Sequence, residues 1–449
     1  MVHGGKTVYA KGFGVKDNRA GAADTNKVGP DTVFQLASVS KPLSATVVAH
    51  QVGEKAIGWD TPVTSKLPWF ALSDPAVTRM VTIGDLFSHR SGLPDHAGDL
   101  LEDIGYDRRQ VLERLRQLPL DPFRISYAYT NYGLTAGAEA VAAAAGTSWD
   151  QLGRDVLFSP LGMSSTSYRF ADYEGRKDRA VGGHIRIDGG YQPEFVRDAD
   201  QQAPAGGVSS SVNDMTHWLE MVLANGSYQA ASSSTRRPCC PRSPPRWCPA
   251  HRRNLRCARL LRFRVQRGRH LGGSHPAESL RRVRARCRHQ CPVPAVGRRG
   301  DRGADQRHPP SGVPEALTAE FADLVQFGSV REDWYKLYTG AMLPMGDPVG
   351  SLVGAKRPAN PAPAQPLPSY VGTYRNDYWG PAVIAEKNGK LALTLGPRGD
   401  TVELTHWDGN TFTFSFISEN SPPPGSISKA AFDGGKLTLE YYDEAVFTK

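Results

Sequence analysis

The pattern of apolar and polar positions divides the chain into two orderly parts with an unpatterned stretch between them. Residues 6–16 (KTVYAKGFGVK) alternate like a strand after the turn-prone His3-Gly4-Gly5. A hairpin partner belongs before that turn, and only three residues precede it. The pattern therefore implies a missing N-terminal strand, with or without a helix ahead of it. Residues 38–53 read as a helix, with Pro42 in the first turn, where its absent N–H is tolerated. Residues 81–88, 108–117, 133–145 and 212–224 also carry helical spacing, separated by Gly- and Pro-containing loops.

Periodicity ends near Gln229. Residues 229–310 contain ten prolines, no Ile, Tyr or Met, and no sustained apolar face. It returns over 311–328 and in a further helix-like stretch to Met342. A Pro/Ala run, KRPANPAPAQPLP (356–368), then reads as a semi-rigid linker. The tail, 369–449, alternates between the turn signals NGK, DGN and DGG, which predicts a small antiparallel β domain.

Composition sharpens the contrast. At 449 residues, 39% apolar and 22% charged, the chain suits a soluble globular protein of two or three domains. Its formal charge is +9, yet residues 231–310 hold 21 Arg, no Lys and three acids, Glu278, Asp301 and Asp305. That window carries +18 and the remainder −9. All six cysteines, Cys239, Cys240, Cys248, Cys257, Cys287 and Cys291, lie in it too. An arginine-rich segment binds phosphates non-specifically. With Trp247 and Phe263 as its only aromatics and no recognisable motif, it implies no specific nucleic-acid partner. Cys287-Arg-His-Gln-Cys291 has metal-ligand types, but no second matched pair completes a tetrahedral site, so no metal or cofactor is expected. No run of eighteen apolar residues predicts a transmembrane segment, and MVHGGKTVYA lacks signal-peptide features. Compartment and oligomeric state stay open.

The strongest chemical signal is Ser38-Val39-Ser40-Lys41 in VFQLASVSKPLSATVV. A Ser three residues before a Lys at a helix start places both side chains on one face, one turn apart. A desolvated Lys beside a hydroxyl can accept its proton, and the helix N-terminus favours the developing negative charge. The plain alternative is a surface lysine near a capping serine. The second element is Tyr129-Thr130-Asn131 in RISYAYTNYG. A tyrosine, with an ordinary pKa of about 10, needs a nearby cation to act as a base near neutrality, and Lys41 could supply it. Without Ser38, Tyr127, Tyr129 and Tyr132 would read as packing aromatics. His89, His96 and His184 have no metal spacing around them and are not expected as bases or ligands, while Asp85 and Asp95 read as loop or capping residues.

In order along the chain, FQLASVSK, TIGDLFSHRSGLPDH, YTNYG, FSPLGM and PAGGVSSSVNDMTHWL resemble the class C β-lactamase and penicillin-binding-protein-like serine hydrolases. The resemblance covers residues 1–228 and implies an α+β fold (an α/β sandwich): an antiparallel sheet flanked by helices plus a helical insertion. Residues 311–355 would be the C-terminal helical remainder of that domain. The resemblance casts Ser38 as nucleophile, Lys41 as its activating partner, Tyr129 as general base and leaving-group acid, and Asn131 as a substrate-positioning amide. Which of Lys41 and Tyr129 takes the proton is left open. The tail, from YVGTYRNDYWGPA onward, resembles the lipocalin-like domain attached to many such hydrolases. The recognised mechanism needs no histidine and no cofactor, and family members are often extracytoplasmic.

The family also needs Lys-Thr-Gly, or His-Ser/Thr-Gly, on a core strand that lines the substrate and helps form the oxyanion hole. No such triplet occurs between 229 and 315; His275-Pro276-Ala277 lacks both the hydroxyl and the glycine. Arg-, Pro- and Cys-rich, Lys-free sequence is what a GC-rich gene yields out of frame. With permitted codons, a one-nucleotide displacement turns the codons of Ser279–Gln290 into His-Ser-Gly followed by Ala-Phe-Glu-Leu. The expectation is a frame-disrupted, disordered segment over about 230–310 that lowers or abolishes turnover. The readings that remain are a serine hydrolase acting on β-lactams, D-amino-acid peptides or small esters and amides; a penicillin- or peptidoglycan-binding protein without turnover; and, least supported, an arginine-rich nucleic-acid binder.

Overall fold

The computed structural model describes residues 1–20, 23–187, 190–228, 307–308, 312–415 and 423–449. The expected hairpin is smaller than its sequence pattern suggests. β1 (Val2–His3) pairs antiparallel with β2 (Lys6–Thr7) around Gly4-Gly5, so a partner does precede the turn. The alternation of 8–16 does not extend the strand: Val8, Tyr9 and Phe13 are exposed, with no buried face to reward the pleat.

β3 (Phe34–Gln35) leads into a 3-10 turn, Ala37–Val39, and then α1 (Ser40–Gly53). Leu43, Val47 and Val48 of α1 are fully buried, each stabilising the fold by about 1.5–3 kcal/mol. Short helices follow: α2 (Pro75–Met80), α3 (Ile83–Phe87), α4 (Asp99–Asp103) and α5 (Arg108–Arg114). α3 starts on a capping box in which Thr82 and Asp85 satisfy each other's backbone N–H, so Asp85 is a capping residue as its position suggested.

The alanine-rich α6 (Asn131–Ala145) is the central helix, buried along most of its length and ended by Gly146 at φ +66°. Gly137 lets it close on α3, since a Cβ there would stand 3.1 Å from the Phe87 ring. Beyond it run α7 (Trp149–Gly153), α8 (Phe170–Glu174), β4 (Gly183–Ile187), β5 (Gly190–Phe195), α9 (Ala203–Gly206), β6 (Ser209–Ser210) and α10 (Val212–Leu223). β3 pairs antiparallel with β6, and β4 with β5, while β7 (Arg307–His308) lies parallel to β4.

After the unpatterned window, α11 (Val313–Phe327) and α12 (Trp334–Met342) pack on each other. Asp323 fixes their joint by accepting from the Arg331 N–H and the Trp334 indole, both at 2.8 Å. The arginine- and cysteine-rich window, the Cys287–Cys291 pair, and the frame-disrupted and disordered reading of 230–310 lie outside the described residues, apart from Arg307 and His308.

The tail forms eight antiparallel strands: β8 (Gly372–Asn376), β9 (Gly380–Lys387), β10 (Lys390–Leu395), β11 (Asp400–Asp408), β12 (Thr411–Phe414), β13 (Ser428–Asp433), β14 (Lys436–Leu439) and β15 (Ala445–Thr448). Each pairs with the next, and β15 returns to β8, closing a barrel with no free edge. Asn388-Gly389 and Gly434-Gly435 make two-residue hairpins at positive φ, as the sequence signals required. Tyr370, Phe412 and Phe432 fill the interior, ring centroids 4.7–5.7 Å apart. The α+β class is therefore the observed one: helices with antiparallel sheets, followed by an antiparallel β barrel.

Candidate active site

Ser38 sits in the tight turn that feeds α1, one residue before the helix cap Val39. The turn is strained, because Ala37 adopts φ +45°, a region an L side chain rarely occupies. Ser40 stabilises the turn by donating to the Ala37 carbonyl at 2.6 Å and accepting from the Val208 N–H at 2.9 Å. The PAGGVSS segment is thereby held against FQLASVSK, an adjacency that the β3–β6 pairing continues.

The sequence-predicted residues meet at one point. Ser38 Oγ lies 2.6 Å from Tyr129 Oη and accepts from Lys41 Nζ at 2.7 Å. Lys41 also donates to Asn131 Oδ1 at 2.8 Å and to the Ala205 carbonyl at 2.9 Å, and stands 4.6 Å from the centre of the Tyr129 ring. An ammonium has three donors and no acceptor, and these three oxygens match it. All four side chains are half-buried, which desolvates the charges while leaving them open to a substrate. Tyr132 is fully buried and Tyr127 exposed, while Tyr129, half-buried, brings its hydroxyl to the serine.

Residues that the sequence left as loop or unassigned build the support around them. Asp95 Oδ1 accepts from the Tyr129 N–H at 2.8 Å, and the His96 N–H donates to the Tyr129 carbonyl at 2.7 Å. His89 Nδ1 accepts from the Thr130 N–H at 3.2 Å, and its ring lies against that of Tyr129, centroids 4.8 Å apart. Burial pushes the His89 imidazole down to about 3, helped by the charges of Lys41 and His96, so it stays a neutral acceptor. His96 Nδ1 meets Asp99 Oδ2 at 2.8 Å, and that hydrogen bond raises the His96 pKa despite partial burial. The same Asp99 oxygen accepts from Asn131 Nδ2 at 2.9 Å. His184 lies elsewhere, with Nδ1 3.2 Å from the Gly182 carbonyl on β4. The signal that could have marked these residues is the i, i+3 spacing of His96 and Asp99 at the start of a helix. Among the described residues no group of His, Cys, Asp or Glu is arranged to hold a metal ion, and no helix is long and apolar enough to cross a membrane.

The β-lactamase family profile matches residues 1–247, more than half of the chain. The chain belongs to the β-lactamase family. A second profile, for a domain of unknown function (DUF3471), matches residues 356–438. The chain is 28% identical over 239 residues to Unguisins hydrolase ungD of Aspergillus violaceofuscus, covering 49% of this chain and 40% of that protein. It is 40% identical over 144 residues to Penicillin-binding protein 4 of Amycolatopsis lactamdurans, covering 30% of this chain and 36% of the relative. The chain thus spans well under half the length of these relatives. Among solved structures, the C-terminal domain of penicillin binding protein Rv0907 is 53% identical, covering 23% of this chain and 99% of that one, with a TM-score of 0.20. The class C β-lactamase from Rhodobacter sphaeroides is 27% identical, covering 47% of this chain and 57% of that one, with a TM-score of 0.39.

Proposed function

We propose that the chain is an acyl-serine hydrolase unit, built from residues 1–228 with 311–355, in which Ser38 is the nucleophile. The observation that carries this reading is the contact of Ser38 Oγ with both Lys41 Nζ and Tyr129 Oη, at 2.7 and 2.6 Å. Lys41, donating to three oxygens as an ammonium, lowers the cost of negative charge on Tyr129 and on the serine. Tyr129 then takes the Ser38 proton as Oγ bonds to the substrate carbonyl carbon, and the carbonyl oxygen becomes the oxyanion. As that intermediate collapses, the bond to the leaving group breaks and Tyr129 returns the proton to it. Water, deprotonated by Tyr129, then adds to the acyl carbon; the bond to Ser38 Oγ breaks, Tyr129 returns the proton to Oγ, and the acid leaves. Asn131 presents its amide beside Lys41 to orient the substrate.

The chemical class is a small-molecule or peptide substrate with a strained or activated carbonyl: a β-lactam, a D-amino-acid peptide, or a small ester or amide. The names of the relatives, a hydrolase and a penicillin-binding protein, support that range. Turnover by this chain is low, because the His-Ser/Thr-Gly triplet that would complete the oxyanion hole is absent from 229–310. Losing one oxyanion donor alone costs about 10²–10³ in rate. The same absence favours a second reading, a penicillin-binding protein that is acylated without turnover.

Nitrocefin and p-nitrophenyl acetate hydrolysis separates these. The chain is expected to show little turnover, and a version with the reading frame of 230–310 corrected to show Ser38-dependent turnover. Labelling of Ser38 by a fluorescent penicillin without turnover supports the binding reading. Vigorous hydrolysis by the chain as it stands, or hydrolysis that survives Ser38→Ala, defeats the proposal.

A further inference from the structure

The barrel touches the hydrolase unit at several segments, through Arg114 on α5 and through 349–351 among them, and one of these segments, 98–106, carries Asp99. At its start the Gly98 N–H donates to Tyr378 Oη on the barrel at 2.9 Å. At its end the Arg398 N–H donates to the Ile104 carbonyl at 3.1 Å, and its guanidinium to the Glu102 carbonyl, also at 3.1 Å. Tyr106 Oη donates to the Trp379 carbonyl at 3.1 Å. The fit is close: a Cβ on Gly105 would lie 2.7 Å from Arg398, and one on Gly396 2.2 Å from the Ile104 carbonyl. α4 has only five residues, too few to hold itself together, so its place is fixed by its surroundings: Arg197 and Gln202 on Glu102 from the hydrolase unit, and these contacts from the barrel.

Asp99 in turn decides how Asn131 faces Lys41. A primary amide offers a donor end and an acceptor end of nearly equal shape. Lys41 is donor-only and a carboxylate acceptor-only, so Asp99 on Nδ2 leaves Oδ1 for Lys41 Nζ. A flipped amide would set N–H against ammonium. His96 holds Asp99 from the other side through the shared Oδ2. Asp99 Oδ1 is buried without a hydrogen-bond partner, so the carboxylate is placed for this contact at the cost of another.

We infer that Asp99 is a positioning residue of the Ser38 site and that the C-terminal barrel, through Tyr378, holds Asp99 in place behind Asn131 and Lys41. The inference rests on the reading of Ser38 as nucleophile, and gives the barrel a role in that site.

The test uses the full chain with Asp99→Asn, Tyr378→Phe and the double variant. The rate of Ser38 labelling by a fluorophosphonate probe is followed across pH, and amide hydrogen exchange is followed over 96–106 and 129–134. Asp99→Asn is expected to slow labelling about ten- to a hundredfold and to change its pH profile. Tyr378→Phe is expected to slow it severalfold, and to add nothing in the Asp99→Asn background. Exchange should quicken in both segments with Tyr378→Phe, including 129–134, whereas the hydrogen bond that the substitution removes is to Gly98. Labelling and 129–134 exchange both unchanged, or slowing that multiplies in the double variant, overturns the inference. If the parent fails to label, the nucleophile reading fails, and the spread of exchange from 98 to 131 decides the coupling by itself.

Discussion

Ser38 Oγ and Tyr129 Oη lie 2.6 Å apart although 91 positions separate them in the chain. The contact is made by two backbone devices: the strained turn at Ala37, and the three hydrogen bonds by which His89, Asp95 and His96 pin the loop around Tyr129. Tyr129→Phe removes one oxygen and keeps the ring against His89. It is expected to slow acylation of Ser38 by about 10²–10⁴. Lys41→Met should cost a similar factor, and the double variant little more than either, because the groups act as a unit. Stopped-flow labelling of the three variants checks this, and independent, multiplying losses would contradict it.

Glu102, buried beside Arg197 and Gln202, sets a pH dependence opposite to that of an ordinary carboxylate. Burial pushes its carboxyl up to about 7, outweighing the pull of Arg197 downward. Between about 4.5 and 7 the native state keeps a proton that the unfolded chain has released, so stability falls as pH rises through that window. Glu102→Gln is expected to lose this slope and to gain on the parent by roughly 3 kcal/mol from pH 4 to 8. Urea unfolding at stepped pH reads it directly.

His89 works in the other direction. Held neutral down to about pH 3, it leaves the unfolded chain alone to bind a proton below its ordinary 6.5. Stability therefore rises with pH between about 3 and 6.5. His89→Gln keeps an acceptor for the Thr130 N–H and removes the titration. The parent should lose stability relative to this variant as pH falls from 6.5 to 4, and parallel curves would refute the assignment.

Gly98 stands at φ +94°, where an added Cβ would meet Val111 at 2.8 Å and Tyr132 at 2.9 Å. Gly98→Ala is expected to destabilise the fold by about 1–3 kcal/mol. It should also slow Ser38 labelling, since α4 carries Asp99. A thermal unfolding midpoint within a degree of the parent would show that the segment accommodates the methyl group.

Much of this was legible one segment at a time. The i, i+3 spacing of Ser38 and Lys41 at a helix start, the helical periodicity of 133–145 and 212–224, and the turns at Asn388-Gly389 and Gly434-Gly435 are local, and backbone sterics and burial decide them from neighbouring residues alone. The strand expected over 6–16 stopped at Thr7 because alternation is only half of a strand; the other half is a surface to bury it. Likewise, from sequence His89 and His96 are not expected as bases or ligands, Asp95 reads as a loop or capping residue, and Asp99 carries no assignment. Their roles are relations between a loop, a five-residue helix and α6, and hydrogen-bond geometry between distant segments leaves no periodic trace. So the sequence by itself determined most of the helices, the barrel's hairpins and which side chains to look for around Ser38. Only tertiary structure decided that the Tyr129 hydroxyl meets Ser38, that Lys41 donates to three oxygens, and that the barrel also rests on the segment carrying Asp99. Those depend on packing, where which atoms come within 3 Å is fixed by the whole chain at once.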